Sequence, residues 1–249
     1  MKNERIQVNP ELSIQKIQDG IYVAIHCFPW PCNSLLVEMR DGQVVLIDTP
    51  NTPEATKILL DWIREYIGNR KITAFNSHFH FDCLGGNKTL LENGINLYGS
   101  ILTAEMIKER GESVRAKVIR WLSSPENDYY IEAYRMIPYI APTPIENLNF
   151  GRALYFGDET IEVFYPGIAH SPDNLVFYLP ERRVLFGGCM LLSLEAKQLG
   201  NLEDADITQW SQSIRRIEER YPNIEIIIPG HGSWGGRELL THTLEIVTK

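Results

Sequence analysis

Short apolar runs bounded by glycine, proline or acidic residues recur along the chain, and they predict strands. GIYVAI (20–25), SLLVEM (34–39) and QVVLID (43–48) come first, the last two joined by a hairpin turn at Asp41-Gly42. The apolar spacing then becomes helical over NTPEATKILLDWIREYIG (51–68). Asn51 or Thr52 caps this helix, Pro53 sits in its first turn and Gly68 follows its last. KITAFNS (71–77) reads as a buried strand, KTLLENG (88–94) as a helix and INLYGS (95–100) as a strand. The stretch 103–149 breaks the alternation. Its Glu, Arg, Tyr, Trp and Ile residues fall at helical spacing, interrupted at Ser123-Ser124-Pro125 and by Pro138, Pro142 and Pro144, which predicts two or three helices. Strand signals return in ALYFG (153–157), TIEVFYPG (160–167), NLVFYLP (174–180) and RVLFGG (183–188). A helix over DITQWSQSIRRIEERY (206–221), the strand IEIIIPG (224–230) and a closing helix over RELLTHTLEIV (237–247) complete the pattern. Strands followed by helix, twice, predict an α/β fold of two similar halves packed sheet on sheet with helices outside. No internal repeat and no low-complexity linker is visible, so one domain over 1–249 is expected.

Composition narrows the function classes. The 249 residues are 44% hydrophobic and 22% charged, ordinary for a globular chain with a large core. The formal net charge is -8 with no basic block, which argues against nucleic acid or an anionic membrane as partner. No apolar run is long enough to span a bilayer. The start, MKNERIQVNP, is polar and lacks the apolar centre of a leader peptide. The compartment is therefore periplasmic if a leader peptide has been removed and Met1 added, and cytoplasmic otherwise. Four cysteines are too few for a disulfide scaffold. Cys27 and Cys32 flank FPWP and either pair in an oxidising compartment or stand as two free thiols.

The strongest chemical signal is His78-Phe79-His80-Phe81-Asp82. Residues i and i+2 of an extended segment face the same way. A turn at the strand end brings i+4 to the same cavity, and Gly85-Gly86 lets the backbone turn into a helix. Two imidazoles and a carboxylate converging at a strand end suit a zinc site better than a surface histidine pair. The remaining ligands are expected at similar positions. His170 follows EVFYPGIA, Cys189 follows VLFGG and His231 follows IEIIIPG, each where an apolar strand gives way to a glycine-flanked loop. Singly, each has a plain alternative, a packed thiol or a turn histidine. Their recurrence in one chain makes the case. His26 and His242 have no such setting and receive no role.

These segments resemble the metallo-β-lactamase superfamily, and its subclass B1 in particular, through HFHFDCLGGN, PGIAHSPDNLVFYLP, LFGGCMLL, LGNLEDADITQW and IIPGHGSWGG…LLTHT, in order along nearly the whole chain. Two details are specific to that subclass. Cys83 stands after Asp82 where other branches place a second-site histidine, and Cys189 stands where they place a bridging aspartate. The stretch 103–149 resembles the helical extension of the São Paulo-type branch, and CFPWPCNS is too short for the long mobile hairpin of most B1 enzymes. The resemblance implies a four-layer αβ/βα sandwich of two mixed sheets, and a monomer. It implies two Zn2+ per chain, the first on His78, His80 and His170 and the second on Asp82, Cys189 and His231. It implies hydrolysis of a β-lactam amide by a zinc-bound hydroxide, with Asn201 helping to stabilise the oxyanion and Asp82 helping to orient the hydroxide. Asp48, ending VVLID, is a candidate to orient a ligand histidine, or else a turn carboxylate. Trp30 and Phe81 are candidates for the pocket wall, with core or rim as the alternative.

One position departs from the pattern. B1 enzymes commonly carry a lysine three residues after the cysteine to bind the substrate carboxylate, and here that residue is Leu192. Lys197 further along the loop, or Arg237, could take over; otherwise Lys197 is a solvated loop residue. Two functions follow. One is a broad-spectrum dizinc β-lactamase acting on penicillins, cephalosporins and carbapenems and giving antibiotic resistance. The alternative is a dizinc hydrolase of another ester, thioester or lactone with weak β-lactamase activity. A non-enzymatic metal-binding protein fits less well, because every expected ligand is present.

Overall fold

The computed structural model describes residues 5–249, apart from the side chain of residue 149. The first four residues, part of the polar start from which the leader-peptide reading is drawn, lie outside the described residues. The chain divides into two compact units. One comprises the residues up to Glu38 with Gly42–Pro144, the other Met39–Asp41 with Ile145–Lys249.

The first unit is built on an 8-stranded sheet whose spatial order follows the sequence. Its strands are β1 (Arg5–Gln7), β2 (Leu12–Gln18), β3 (Ile21–Cys27), β4 (Pro31–Glu38), β5 (Val44–Ile47), β6 (Ile72–Phe75), β7 (Asn96–Ser100) and β8 (Thr143–Ile145). Pairing is antiparallel from β1 to β5 and parallel from β5 through β7. A parallel step needs a long crossover, and α1 (Pro53–Tyr66) and α2 (Asn87–Glu92) supply the two. Thr52, not Asn51, caps α1: its side chain accepts from Ala55 N at 3.1 Å, with Pro53 in the first turn. The α1 face formed by Leu59, Leu60, Trp62 and Ile63 packs on Leu12, Leu36, Leu46 and Ala74 of the sheet. All four residues of β5 are buried, which explains an unbroken apolar run where a one-sided strand would alternate.

Two α-helices fill most of the stretch expected to be helical, α3 (Ile101–Trp121) and α4 (Asp128–Met136). Met106, Ile107, Val114 and Val118 of α3 and Tyr134 of α4 form a separate apolar cluster with Phe28, Phe79 and Phe81. The second unit holds a 5-stranded sheet in the order β13-β12-β11-β10-β9. These strands are β9 (Arg152–Phe156), β10 (Glu159–Phe164), β11 (Val176–Leu179), β12 (Val184–Gly188) and β13 (Ile226–Pro229). Only the β12–β13 pair among these is parallel, and α5 (Ile207–Arg220) is its crossover. Trp210, Ile214 and Ile217 of α5, with Leu239 and Leu240 of α6 (Glu238–Val247), bury against Val176, Leu185 and Ile227. Two mixed sheets, each with helices on one face, give the α/β class read from the sequence.

His26, which has no assigned role in the sequence, is a core residue of β3, 1% exposed. Asn51 N donates to its Nδ1 at 3.0 Å, so the ring is neutral with its proton on Nε2. It stacks on Phe28 with centroids 5.5 Å apart. The carboxylate of Glu11 faces it at 3.8 Å. Burial pushes its pKa from 6.5 down to about 4. The unfolded chain therefore takes up this proton as pH falls below 6.5, while the folded chain resists until about 4. Stability is full above 6.5 and drops through that window by about 3 kcal/mol. Denaturant unfolding between pH 7 and 4.5 should show this slope, and His26→Gln should flatten it; parallel wild-type and variant curves would remove His26 as the cause.

Candidate metal centre

In the first unit, parallel register sets up the chemistry. Val44 lies opposite Ile72 and Ile47 opposite Phe75, so the residues just past β5 and β6 leave the sheet side by side. Asp48, the first residue past β5, takes φ 60°, a left-handed conformation that Asp tolerates better than most residues. Its Oδ1 accepts from Ser77 N at 2.7 Å and its Oδ2 from the Ser77 hydroxyl at 2.6 Å. Ser77 has one hydroxyl proton, and Asp48 takes it. The Ser77 oxygen can then only accept from His78 Nδ1, 3.0 Å away. This fixes the His78 tautomer with the proton on Nδ1 and the lone pair on Nε2, the form a metal needs.

His78 Nε2 lies 3.9 Å from Asp82 Oδ1, too far for a hydrogen bond and close enough for two donors to share an ion. The His78 and His80 ring centroids are 4.9 Å apart, with donor nitrogens within 4.8 Å. His78, His80 and Asp82 are 0%, 4% and 9% exposed. Asp82 reaches this position because a single 3-10 turn, Phe81–Cys83, follows the extended pair of histidines. The single Cys83 S–H proton lies within reach of the carbonyls of both His78 and His80, at 3.3 and 3.1 Å, so the thiol braces the loop. The loop also lies hard against Asn51: a Cβ on Gly85 would stand 1.9 Å from the Asn51 carbonyl oxygen.

Around this cluster the two cysteines of the hairpin are free thiols. The strand register sets Cys27 opposite Pro31 and Cys32 opposite His26, so the cysteines do not face one another. Phe81 is buried, edge-on to Tyr134 at 5.4 Å, and belongs to the apolar cluster. Trp30 is half-buried and edge-on to Phe81 at 5.8 Å.

The second unit repeats the device with different atoms. Gly188 of β12 lies opposite Pro229 of β13, and Gly230 N donates to Gly188 O at 2.8 Å. The next residues on the two chains are Cys189 and His231, whose Sγ and Nε2 stand 3.3 Å apart. Position 230 must be glycine, since a Cβ there would meet Cys189 Sγ at 2.6 Å. The run Met190-Leu191 after the cysteine is core, at 0% and 1% exposure. The Trp210 indole donates to Met190 O at 2.9 Å, and the same ring stands edge-on to His170, centroids 5.8 Å apart. One buried tryptophan thus steadies two expected ligand loops. Ser171, Asp173 and Asn174 brace the His170 loop through short hydrogen bonds, Ser171 N to Asn174 Oδ1 at 2.8 Å and Ser171 Oγ to Asp173 Oδ1 at 2.7 Å.

The other expected residues sit on this unit's loops. Asn201 is half-buried, and its Oδ1 accepts from Glu203 N at 3.1 Å, which leaves its amide N–H groups as donors. Lys197 is exposed. Leu192 is pinned by its backbone, N to Thr243 Oγ1 at 3.0 Å. Arg237, a possible replacement for the missing lysine, instead donates to the carbonyls of Tyr221 and Pro222 at 3.0 and 3.3 Å. The sequence does not point to Ser77 or Trp210. Ser77 gives no signal beyond preceding a candidate ligand histidine, and Trp210 reads in the sequence as one more apolar position of α5.

The chain belongs to the metallo-beta-lactamase superfamily, whose model matches residues 27–231. It is 35% identical over 217 residues to the metallo-beta-lactamase type 2 of Bacillus cereus, covering 87% of this chain and 73% of that protein. It is 27% identical over 255 residues to the metallo-beta-lactamase type 2 of Bacteroides fragilis, covering 100% of this chain and 90% of that one. Among solved structures, the metallo-beta-lactamase from Pontibacter korlensis aligns with TM-score 0.74 at 29% identity, covering 99% of each chain. The B1-like character read from Cys83 and Cys189 agrees with these type 2 relatives.

The Asp48–Ser77–His78 chain generates a prediction. Asp48→Asn keeps a residue that tolerates φ 60° but offers an amide in place of the carboxylate. Zinc affinity, measured by competition with a chromophoric chelator, should fall about 10- to 100-fold. Unchanged affinity would reduce Asp48 to a turn residue.

Proposed function

We propose that this protein is a zinc-dependent β-lactamase of the B1 kind that opens the β-lactam amide of penicillins, cephalosporins and carbapenems and so gives antibiotic resistance. The observation that carries the reading is the register-held Cys189–His231 pair, 3.3 Å between Sγ and Nε2, in a chain that also gathers His78, His80 and Asp82. A thiolate among imidazoles and a carboxylate is a donor set for zinc rather than for magnesium or calcium. The donors fit two ions: His78, His80 and His170 would hold one, and Asp82, Cys189 and His231 the other. Bound zinc supplies a water acidic enough to be a nucleophile near neutral pH, and a Lewis acid for the amide.

The chain's own residues do the positioning. Asp48, acting through Ser77, keeps the His78 lone pair on Nε2. Asp82, beside His78, would help to hold the second ion, and its carboxylate could take up a proton. Asn201, its amide N–H groups left as donors, would offer one to the oxygen that gains charge as the carbonyl is attacked, the usual form of oxyanion stabilisation. Lys197 offers the cation of this loop to the substrate carboxylate, and Trp30 offers an apolar wall. A β-lactam is then the small-molecule partner, hydrolysed by a monomer; a periplasmic site of action goes with it, to be checked by cell fractionation.

One observation favours the second reading, a dizinc hydrolase of another ester, thioester or lactone. Leu192 replaces the usual lysine, and Arg237 is held by two backbone carbonyls. A substrate without a carboxylate would not need either.

Metal analysis of the protein purified from zinc-replete medium should return about two zinc ions per chain. The protein should hydrolyse a chromogenic cephalosporin and a carbapenem, and a chelator should abolish both activities. Cys189→Ser should lower the zinc content toward about one and remove most of the activity. Inert β-lactams alongside turnover of a lactone or thioester would transfer the assignment to the second reading.

A further inference from the structure

The two candidate ligands of the second unit leave the sheet on loops of different make. The His231 loop is short and closed at its base, where Ile227 N donates to Gly235 O at 2.7 Å and Gly235 N to Ile227 O at 3.1 Å. The Cys189 loop is longer. Past the core residues Met190 and Leu191 it runs through Leu194, Glu195, Lys197 and Gln198, all exposed. A loop with so little burial of its own keeps one shape only where other segments hold it.

Its middle is held from two sides. Ala196 N donates to Ser193 O at 3.0 Å, which closes a tight turn over 193–196. On one side α6 grips this turn: Leu192 N donates to Thr243 Oγ1 at 3.0 Å, and His242 Nε2 donates to Ala196 O at 2.9 Å. His242, which has no role in the sequence, thus has one here. On the other side the turn meets the His231 loop. Gly232 follows His231 directly and has φ 76°; a Cβ there would stand 2.4 Å from Ser193 Oγ and 3.4 Å from Glu195 Oε2. A hydroxyl and a carboxylate of the Cys189 loop therefore press on the backbone next to His231. The carboxylate accepts from the hydroxyls of Ser233 and Ser193 and from the Ser233 N–H, and these bonds hold its pKa down from 4.5 to about 2. Ser193 belongs to the same loop as Glu195, whereas Ser233 belongs to the His231 loop, so the Glu195–Ser233 contact joins the two.

We propose that Glu195 is a positioning residue of the metal centre, a latch that ties the Cys189 loop to the His231 loop and so keeps the thiol and the imidazole at the spacing a shared ion needs. The proposal rests on the zinc reading given above. Strand register brings Cys189 and His231 together at the sheet end, with Sγ and Nε2 3.3 Å apart. Beyond the sheet, the His231 ring is one residue from the latch, so a shift of Gly232 and Ser233 turns the ring and changes that separation. Hydrogen bonds to an ionised acceptor are about twice as strong as neutral ones, which suits a carboxylate to this task better than an amide or a third hydroxyl.

Cobalt(II) titration of the metal-free full-length protein tests this, with the thiolate-to-cobalt absorption band reporting the ion on Cys189 and a competing chelator giving affinities. Glu195→Ala, at a side chain exposed enough to leave folding intact, should weaken the thiolate-bound ion by about fivefold and shift its band. Glu195→Gln keeps one acceptor oxygen and should lose less. Ser233→Ala should also weaken that ion, and adding it to Glu195→Ala should cost nothing further, because both changes break the same contact. The ion that Cys189 does not hold is the internal control and should bind as in wild type. The latch is overturned if the wild-type band is present and Glu195→Ala leaves band and affinity unchanged, if the Glu195 and Ser233 effects add, or if both ions weaken alike, which would make Glu195 a general support of the fold. A wild-type protein with no thiolate-to-cobalt band would overturn the zinc reading and the latch with it.

Discussion

Parallel strand pairing is the constraint on which the chemistry depends. In an antiparallel hairpin the end of one strand meets the start of the next, and the turn between them occupies the space beyond. In a parallel pair both chains leave the sheet at the same end, so consecutive loops emerge beside each other. This protein uses that geometry twice. Ile47 opposite Phe75 brings Asp48 to Ser77 and so to His78. Gly188 opposite Pro229 brings Cys189 to His231. A slip of register by one residue would exchange the faces of every side chain and separate both pairs. The helices α1 and α5 matter to the chemistry because they make parallel pairing possible.

The same reasoning explains what was legible in the sequence. The strand pattern located β3 through β7 and β9 through β13, because each is an apolar run between turn residues. It missed β2, whose LSIQKIQ is mostly polar and buries only its first half, and the three-residue strands β1 and β8, which are too short to show a period. Ligand candidates were legible because each follows an apolar strand and precedes glycine. For Gly230 the structure supplies the physical cause, the 2.6 Å approach of Cys189 Sγ to the position a Cβ would take. Ser77 and Trp210 were not legible. Their contribution lies in contacts between segments distant in sequence, Asp48 with Ser77 and Trp210 with Met190 and His170, and no local pattern encodes such contacts.

Leu192 illustrates how a loop can serve one requirement at the cost of another. Met190 and Leu191 are core side chains, and Leu191 packs so closely on Gly187 that a Cβ there would meet it at 2.3 Å. The backbone of Leu192 is tied to Thr243 on α6. The residues after Cys189 therefore anchor the thiol to the hydrophobic core within three positions. On the proposed reading, a cation for a substrate carboxylate would have to come later in the loop, where Lys197 is exposed and less constrained. Side-chain entropy opposes holding such a lysine in one place, so on the proposed β-lactamase reading the expected consequence is weaker substrate capture, with the candidate metal ligands untouched.

Trp210 carries this linkage furthest. Its indole N–H is satisfied by Met190 O, as a buried tryptophan requires, and its ring supports His170. Its side chain is fully buried among Val176, Leu185, Ile214 and Ile227. The packing of α5 on its sheet and the placement of two expected ligand loops are therefore one structural fact. Loosening that core would displace His170 and the Cys189 loop together, so in this unit stability and the placement of the candidate ligands are coupled through a single side chain. In the first unit the corresponding support is polar: Asp48 and Ser77 orient His78 by hydrogen bonds, and Cys83 holds the loop by its own. That support acts on the tautomer as well as the position of the ring. The two units thus secure their candidate ligands by different physics, one through apolar packing and the other through a directed proton.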